Sequence, residues 1–228
     1  MMLAAASTSF AELLAKVLPL AIGAAISPTI LIVVLVVLGG RAHPRARGAV
    51  YSAGAILVLL VLAALSITLL RHSVTHRGGG DPVYGWIDVG FGVLLLGIAI
   101  RQLLVPANPK QAPAGSGDGQ AHLGRYFGLG VAMMLTNFST LVLFIPAMKD
   151  VAVARVGIGA KLLTVAIAIA VASCLAWAPV LLDSVAPRLA GRILDPMNAY
   201  MTRNQRVLSI VVCFVFSAYL MFKGLRAI

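Results

Sequence analysis

"VLPLAIGAAISPTILIVVLVVL", residues 17–38, is an apolar run with a proline between two hydroxyls, Ser27 and Thr29, near its middle. Its length suits a helix crossing a hydrocarbon core about 30 Å thick, which needs roughly 20 apolar residues. Its centre is what such a helix should avoid. Pro28 has no N–H, so the carbonyl of Ala24, one turn back, loses its donor. In lipid that carbonyl needs a new partner or a wet cavity.

The rest of the chain says which solvent the run faces. Of 228 residues, 61% are hydrophobic and 11% charged, and mean hydropathy is +1.00. Soluble domains carry about 25% charged residues, so the apolar excess belongs against lipid. Six runs have spanning length: Val17–Leu38, Ala49–Leu70, Val83–Leu104, Tyr126–Met148, Lys161–Leu182 and Val207–Phe222. Asp88 interrupts the third, and the sixth is short. All read as helices, because they lack the alternation of an outer-membrane barrel and backbone in lipid must satisfy itself. The N-terminus has no basic n-region and reads as an uncleaved lead-in. Cys174 and Cys213 fall inside runs, without a CxxC pattern, and read as packing residues.

Eighteen Lys and Arg against seven Asp and Glu give a net charge of +11. In a membrane chain this excess speaks of topology and anionic headgroups, not of nucleic acid. The loop "RAHPRARG" (41–48) places Arg41, Arg45 and Arg47 directly after the first run. By the positive-inside rule that loop is cytoplasmic. The N-terminus is then outside, and six spans return the C-terminus to the outside too. Before the sixth run, "APRLAGRILDPMNAYMTRNQRV" (186–207) mixes apolar residues with arginines, among them Arg203 and Arg206. It reads either as an amphipathic segment on the cytoplasmic leaflet or as a plain charged loop. Arg41, Arg45, Arg47, Arg203 and Arg206 are the candidate headgroup contacts.

The segment "VPANPKQAPAGSGDGQAHLG" (105–124) is too rich in Pro, Gly and Ser to build a core and reads as a linker. It divides a single membrane domain into residues 1–104, a linker over 105–125, and residues 126–228. A shift of about 109 residues lays Ser27-Pro28 on Thr136-Asn137 and Gly48 on Gly157. Three spans per half is an odd number, so related halves enter the membrane from opposite sides. The expected fold is all-α: a polytopic membrane protein with six transmembrane helices in a 3+3 inverted repeat.

The shift pairs two polar interruptions. Ser27, Pro28 and Thr29 face "MLTNFST", with Thr136, Asn137, Ser139 and Thr140. Such residues also glue transmembrane helices together, but the matched position in both halves favours a substrate site or gate. Asp88 has two readings as well: an ion-coupling acid within a span, or an interfacial dipole partner beside Tyr84 and Trp86. The seven acids show no close pair within a span. Small residues spaced by four mark packing ridges: Gly124, Gly128, Ala132 and Thr136; Gly23 and Ser27; Gly48 and Ser52. Gly90 and Gly97 also share a face. His72 and His76 are four apart, but two ligands flanked by Arg71 and Arg77 favour a solvated loop over a metal site. No GxSxG, Walker loop or HExxH occurs. Neither enzymatic activity, cofactor nor metal is expected.

The "SPT" break, the Arg-rich "GGRAHPRARGAVYSAG", the "LTNFST" break and the late "TRNQRV" together resemble the LysE transporter superfamily. Within it they look most like the GAP family of peptidoglycolipid or sulfolipid addressing proteins. Related exporters often carry Pro-Gly-Pro in the first helix and Asn-Pro in the fourth. The counterparts here are Ser27-Pro28 and Thr136-Asn137, with Phe138 where a second proline would stand. The resemblance implies an inner-membrane protein that moves, or helps move, an envelope glycolipid or similar amphiphile toward the cell surface. The partners implied are membrane lipids, the glycolipid substrate, a larger lipid exporter and further copies of the chain. Two alternatives stand beside it: export of a small polar solute or cation, with Asp88 as the coupling group, and a non-transporting scaffold for a larger lipid exporter.

Overall fold

The computed structural model describes residues 9–39, 43–76, 83–104 and 123–226, with the backbone alone for 70–76 and 83–84. Arg41, most of the linker and the side chains of His72, His76 and Tyr84 lie outside what is described. The described residues form helices: α1 (Phe10–Ala25), α2 (Pro28–Leu38), α3 (Pro44–His76), α4 (Val83–Leu104), α5 (Leu123–Thr136), α6 (Phe138–Val153), α7 (Ile158–Ala172), α8 (Cys174–Val185) and α9 (Pro187–Leu225). No strand occurs among them.

Local chemistry sets several boundaries. Ser9 and Glu12 form a reciprocal capping box at the start of α1, satisfying two of the N–H groups a helix start leaves open. Pro28 opens α2 at a position where its missing N–H costs nothing. Three helices, Pro44–Leu69, Gly85–Leu104 and Pro187–Leu225, are long and apolar enough to cross a membrane unaided. The remaining apolar runs are bent pairs: α1 and α2 meet at 56°, α5 and α6 at 74°, and α7 and α8 at 71°. Counting each pair as one span gives up to six. The breaks at Ser27 and Asn137 fall at the polar interruptions of the sequence. The third, at Ser173, falls where none was expected.

α4 lies along α9, α3 along α5 and α6, and α1 along α6 and α7, while α2 rests on α8 and α9. Glycine permits the closest approaches. A Cβ on Gly130 would sit 2.1 Å from the carbonyl oxygen of Tyr51, and one on Gly54 2.4 Å from that of Phe127, so α3 and α5 touch backbone to backbone. Gly92 and Gly224 serve α4 and α9 in the same way; a Cβ on Gly224 would lie 2.7 Å from the carbonyl oxygen of Gly85. The expected ridges are partly displaced. Gly23 does meet the ring of Phe216, and Gly48 meets Val180, but Gly90, Gly97, Gly124 and Gly128 have nothing within 4 Å. Spacing by four identifies a face; it does not say which face meets a neighbour.

The interior is filled by large apolar groups such as Leu20, Leu31, Leu59, Phe144 and Leu220, all fully buried. The outside is apolar too: Val185 is 82% exposed and Leu104 75%. In water so extensive an apolar exterior would be unfavourable at about 25 cal/mol per Å²; against lipid tails it is the suitable surface.

Candidate functional site

At each break a side-chain donor meets a helix carbonyl. At the first, the Ala24 carbonyl stripped by Pro28 accepts from the Thr140 hydroxyl of α6 at 2.9 Å, in a buried position. At the second, the Asn137 N–H turns to Met134, which frees Met133; Thr136 Oγ1 donates there at 3.1 Å and to Ala132 at 2.9 Å. At the third, the indole N–H of Trp177 donates to Ala170 at 3.0 Å. An unpartnered backbone group in an apolar setting costs about 1–3 kcal/mol by mutational measure, so these donors help the helices to bend.

The first two breaks are joined. Asn137 Nδ2 donates to Ser27 Oγ at 2.8 Å, and Ser139 Oγ donates to Asn137 Oδ1 at 2.9 Å. With Thr140 on Ala24, these bonds form one knot between α1 and α6. Ser27, Pro28, Asn137 and Ser139 therefore come together. Thr136 does not: it is exposed and bonds only within its own helix. Thr29 is turned to the other side, where Gln205 of α9 donates to it at 3.0 Å. Next along α9, Arg206 donates to the carbonyls of Gln102 and Leu103 at 3.0 and 2.9 Å, capping the end of α4. The Thr29 side of the first break is thus level with the end of α4 rather than with its centre.

Beside the first and third breaks lies an open groove of about 370 Å³. Ile22, Ile26, Ala170, Leu175, Trp177 and Met201 are among its walls, and the lining is almost wholly apolar. No motif announced it, because it arises from the unexpected bend at Ser173.

Asp88 sits elsewhere, in a cluster of charges. It is 2% exposed and ion-paired with Lys149 of α6, itself 4% exposed. Lys223 of α9 lies 3.5 Å from Asp88 and 2.5 Å from Asp150. Two acids and two bases from three helices thus cancel one another. Trp86 is 61% exposed, whereas Asp88 itself faces inward. Acids scattered in sequence meet in space, since Asp88 and Asp150 share Lys223. The available signal was that the third, fourth and sixth runs place Asp88, Lys149-Asp150 and Lys223 at the same predicted membrane side.

The candidate headgroup arginines divide. Arg45 is exposed and 3.5 Å from Asp183. Arg203 is exposed, and Arg206 is engaged with α4. Arg47 is only 8% exposed and lies over the Tyr126 ring, 5.1 Å from its centroid. Its charge faces protein, not the open surface.

No curated protein and no solved structure matches the chain. The family described as Sap, sulfolipid-1-addressing protein, matches residues 17–226, from the first apolar run to the end of α9. Apolar spans, a lipid-suited exterior and a match over nearly the whole chain lead to one statement: this is a membrane protein that belongs to the sulfolipid-1-addressing protein family.

Proposed function

We propose that the protein moves, or helps move, an envelope glycolipid or similar amphiphile from the inner membrane toward the cell surface, with one acyl chain lying in the groove beside the breaks. The groove carries this reading. It is open, almost wholly apolar and lined from four helices, which suits a lipid tail and does not suit a small polar solute. The family's description, with its reference to a sulfolipid, supports the same direction.

We further propose six spans in two inverted halves, as in the LysE superfamily. Reciprocal packing supports the inversion: α3 lies on α5 as α7 lies on α1, and α4 meets α6 as α9 meets α2. The proposed orientation has both termini outside. Its support is that Arg45 bonds Asp183, bringing the first loop to the start of α9 with Arg188 and Arg192. At the opposite end Lys149 and Lys223 are cancelled by Asp88 and Asp150, which lowers the net positive charge there relative to the first-loop side. Cation export coupled through Asp88 has less support, because an entering cation must displace two lysines.

The test is reconstitution with a fluorescent glycolipid, following its passage between leaflets. Ala170→Trp fills the groove from an exposed position and is expected to stop passage while the protein keeps its unfolding temperature. Undiminished passage in that variant would refute the groove as the route. Should the unaltered protein leave the lipid in its original leaflet under every ion gradient, the assisting role is the one that stands.

A further inference from the structure

Among the described residues, Arg47 is paired with no anion. The residue is 8% exposed, its Nε is buried without a hydrogen-bond partner, and its one described side-chain contact is the face of Tyr126. One turn along the same face of α3, Tyr51 is fully buried and its hydroxyl is also without a partner. Removing a guanidinium from water without a counter-charge is among the most unfavourable arrangements a fold can hold.

The surroundings add to the imbalance. Arg47 lies in the first turn of α3 and Tyr126 in the first turn of α5, so two helix N-termini meet at their contact. Each brings the partial positive charge of its free N–H groups. Neither first turn contains an acid. Asp183, the acid of the α8 end nearby, is already paired with Arg45. Tyr126 covers one face of the guanidinium and leaves its edge, where the N–H fork lies, for a ligand.

We propose that Arg47, Tyr51 and Tyr126 form a binding site for one oxyanion, a phosphate or sulfate group, held by the edge of the Arg47 guanidinium with the Tyr51 hydroxyl as second donor. The group is either the headgroup of a membrane lipid or the free ion; the chemistry recognised is the same. The site lies between α3 and α5 and stands whether or not the groove carries a lipid tail.

The full-length protein in uncharged detergent is titrated with sodium phosphate, then sodium sulfate, against sodium chloride at equal ionic strength, following the unfolding temperature. The expected result is a saturable rise with the oxyanions that chloride does not produce. Arg47→Lys keeps the charge but loses the fork, and should weaken the apparent affinity by about tenfold or more. Tyr51→Phe should weaken it less. Arg47→Gln should abolish the response; should it fail to fold, Arg47→Lys still decides the matter. Nanodiscs separate the two sources. If a lipid headgroup fills the site, protein in phosphatidylglycerol discs no longer responds to added phosphate, whereas protein in the uncharged detergent does. If the free ion is the ligand, both respond. Equal rises with chloride, or an unaltered oxyanion response in Arg47→Lys, would overturn the site. So would an Asp118→Asn variant that acquires an oxyanion response absent from the parent, since the linker acid would then be the counter-charge.

Discussion

Two of the ties between the halves of the chain differ sharply in chemistry. Beside the breaks the tie is neutral: Asn137 to Ser27, and Thr140 to the Ala24 carbonyl. Near the far end of α9 it is ionic: Asp88, Lys149, Asp150 and Lys223. From Gln205, which reaches the first break, to Lys223 is roughly 27 Å along α9 at 1.5 Å per residue. Neutral bonds exchange with water or ligand groups at a net of about 0.5–1.5 kcal/mol each. A buried ion pair cannot part without stranding a charge, at about 3–5 kcal/mol. The contrast gives the molecule an anchored end and a pliable one, with the groove at the pliable end.

Removing one charge tests the anchor most severely. Lys149→Met leaves Asp88 with Lys223 alone and should lower stability by about 3–5 kcal/mol, read from unfolding in detergent. Wild-type stability in that variant would erase the contrast. Thr140→Val keeps the shape but strands the Ala24 carbonyl; a loss of about 1–3 kcal/mol is expected in the same measurement. A loss matching that of Lys149→Met would mean the break is as firmly held as the charge cluster. Asn137→Ala removes the bonds to Ser27 and Ser139, and about 1 kcal/mol should follow. It should also speed hydrogen exchange at the start of α6 while α4 and the end of α9 remain protected. Arg45→Ala removes an exposed pair and should change stability by about 0–1 kcal/mol, diminishing with salt. A larger effect there would place a second anchor at the first loop.

Much of this was legible where one residue dictates the backbone. Pro28 announces that Ala24 needs a donor, and the chain supplies it from Thr140, within the second polar interruption of the sequence. The third bend is different. Ser173 stands in "AVASCLAW", where no residue restricts the backbone as proline does; Pro179 lies six residues on, inside α8. The groove was therefore not legible. The charge cluster was half legible. Asp88 drew attention as an acid in an apolar run, but its partners depend on which helices become neighbours. The glycine ridges show the same limit, since Gly130 packs and Gly128 does not.

Trp177 has a consequence of another kind. The chain has two tryptophans, Trp86 and Trp177, and with Trp86→Phe all indole emission arises from the groove wall. Its N–H is held by Ala170 only while the third break keeps its present bend. The protein thus contains its own optical gauge: the emission maximum of that single-tryptophan protein should move as a lipid tail enters or the bend straightens, without any added dye.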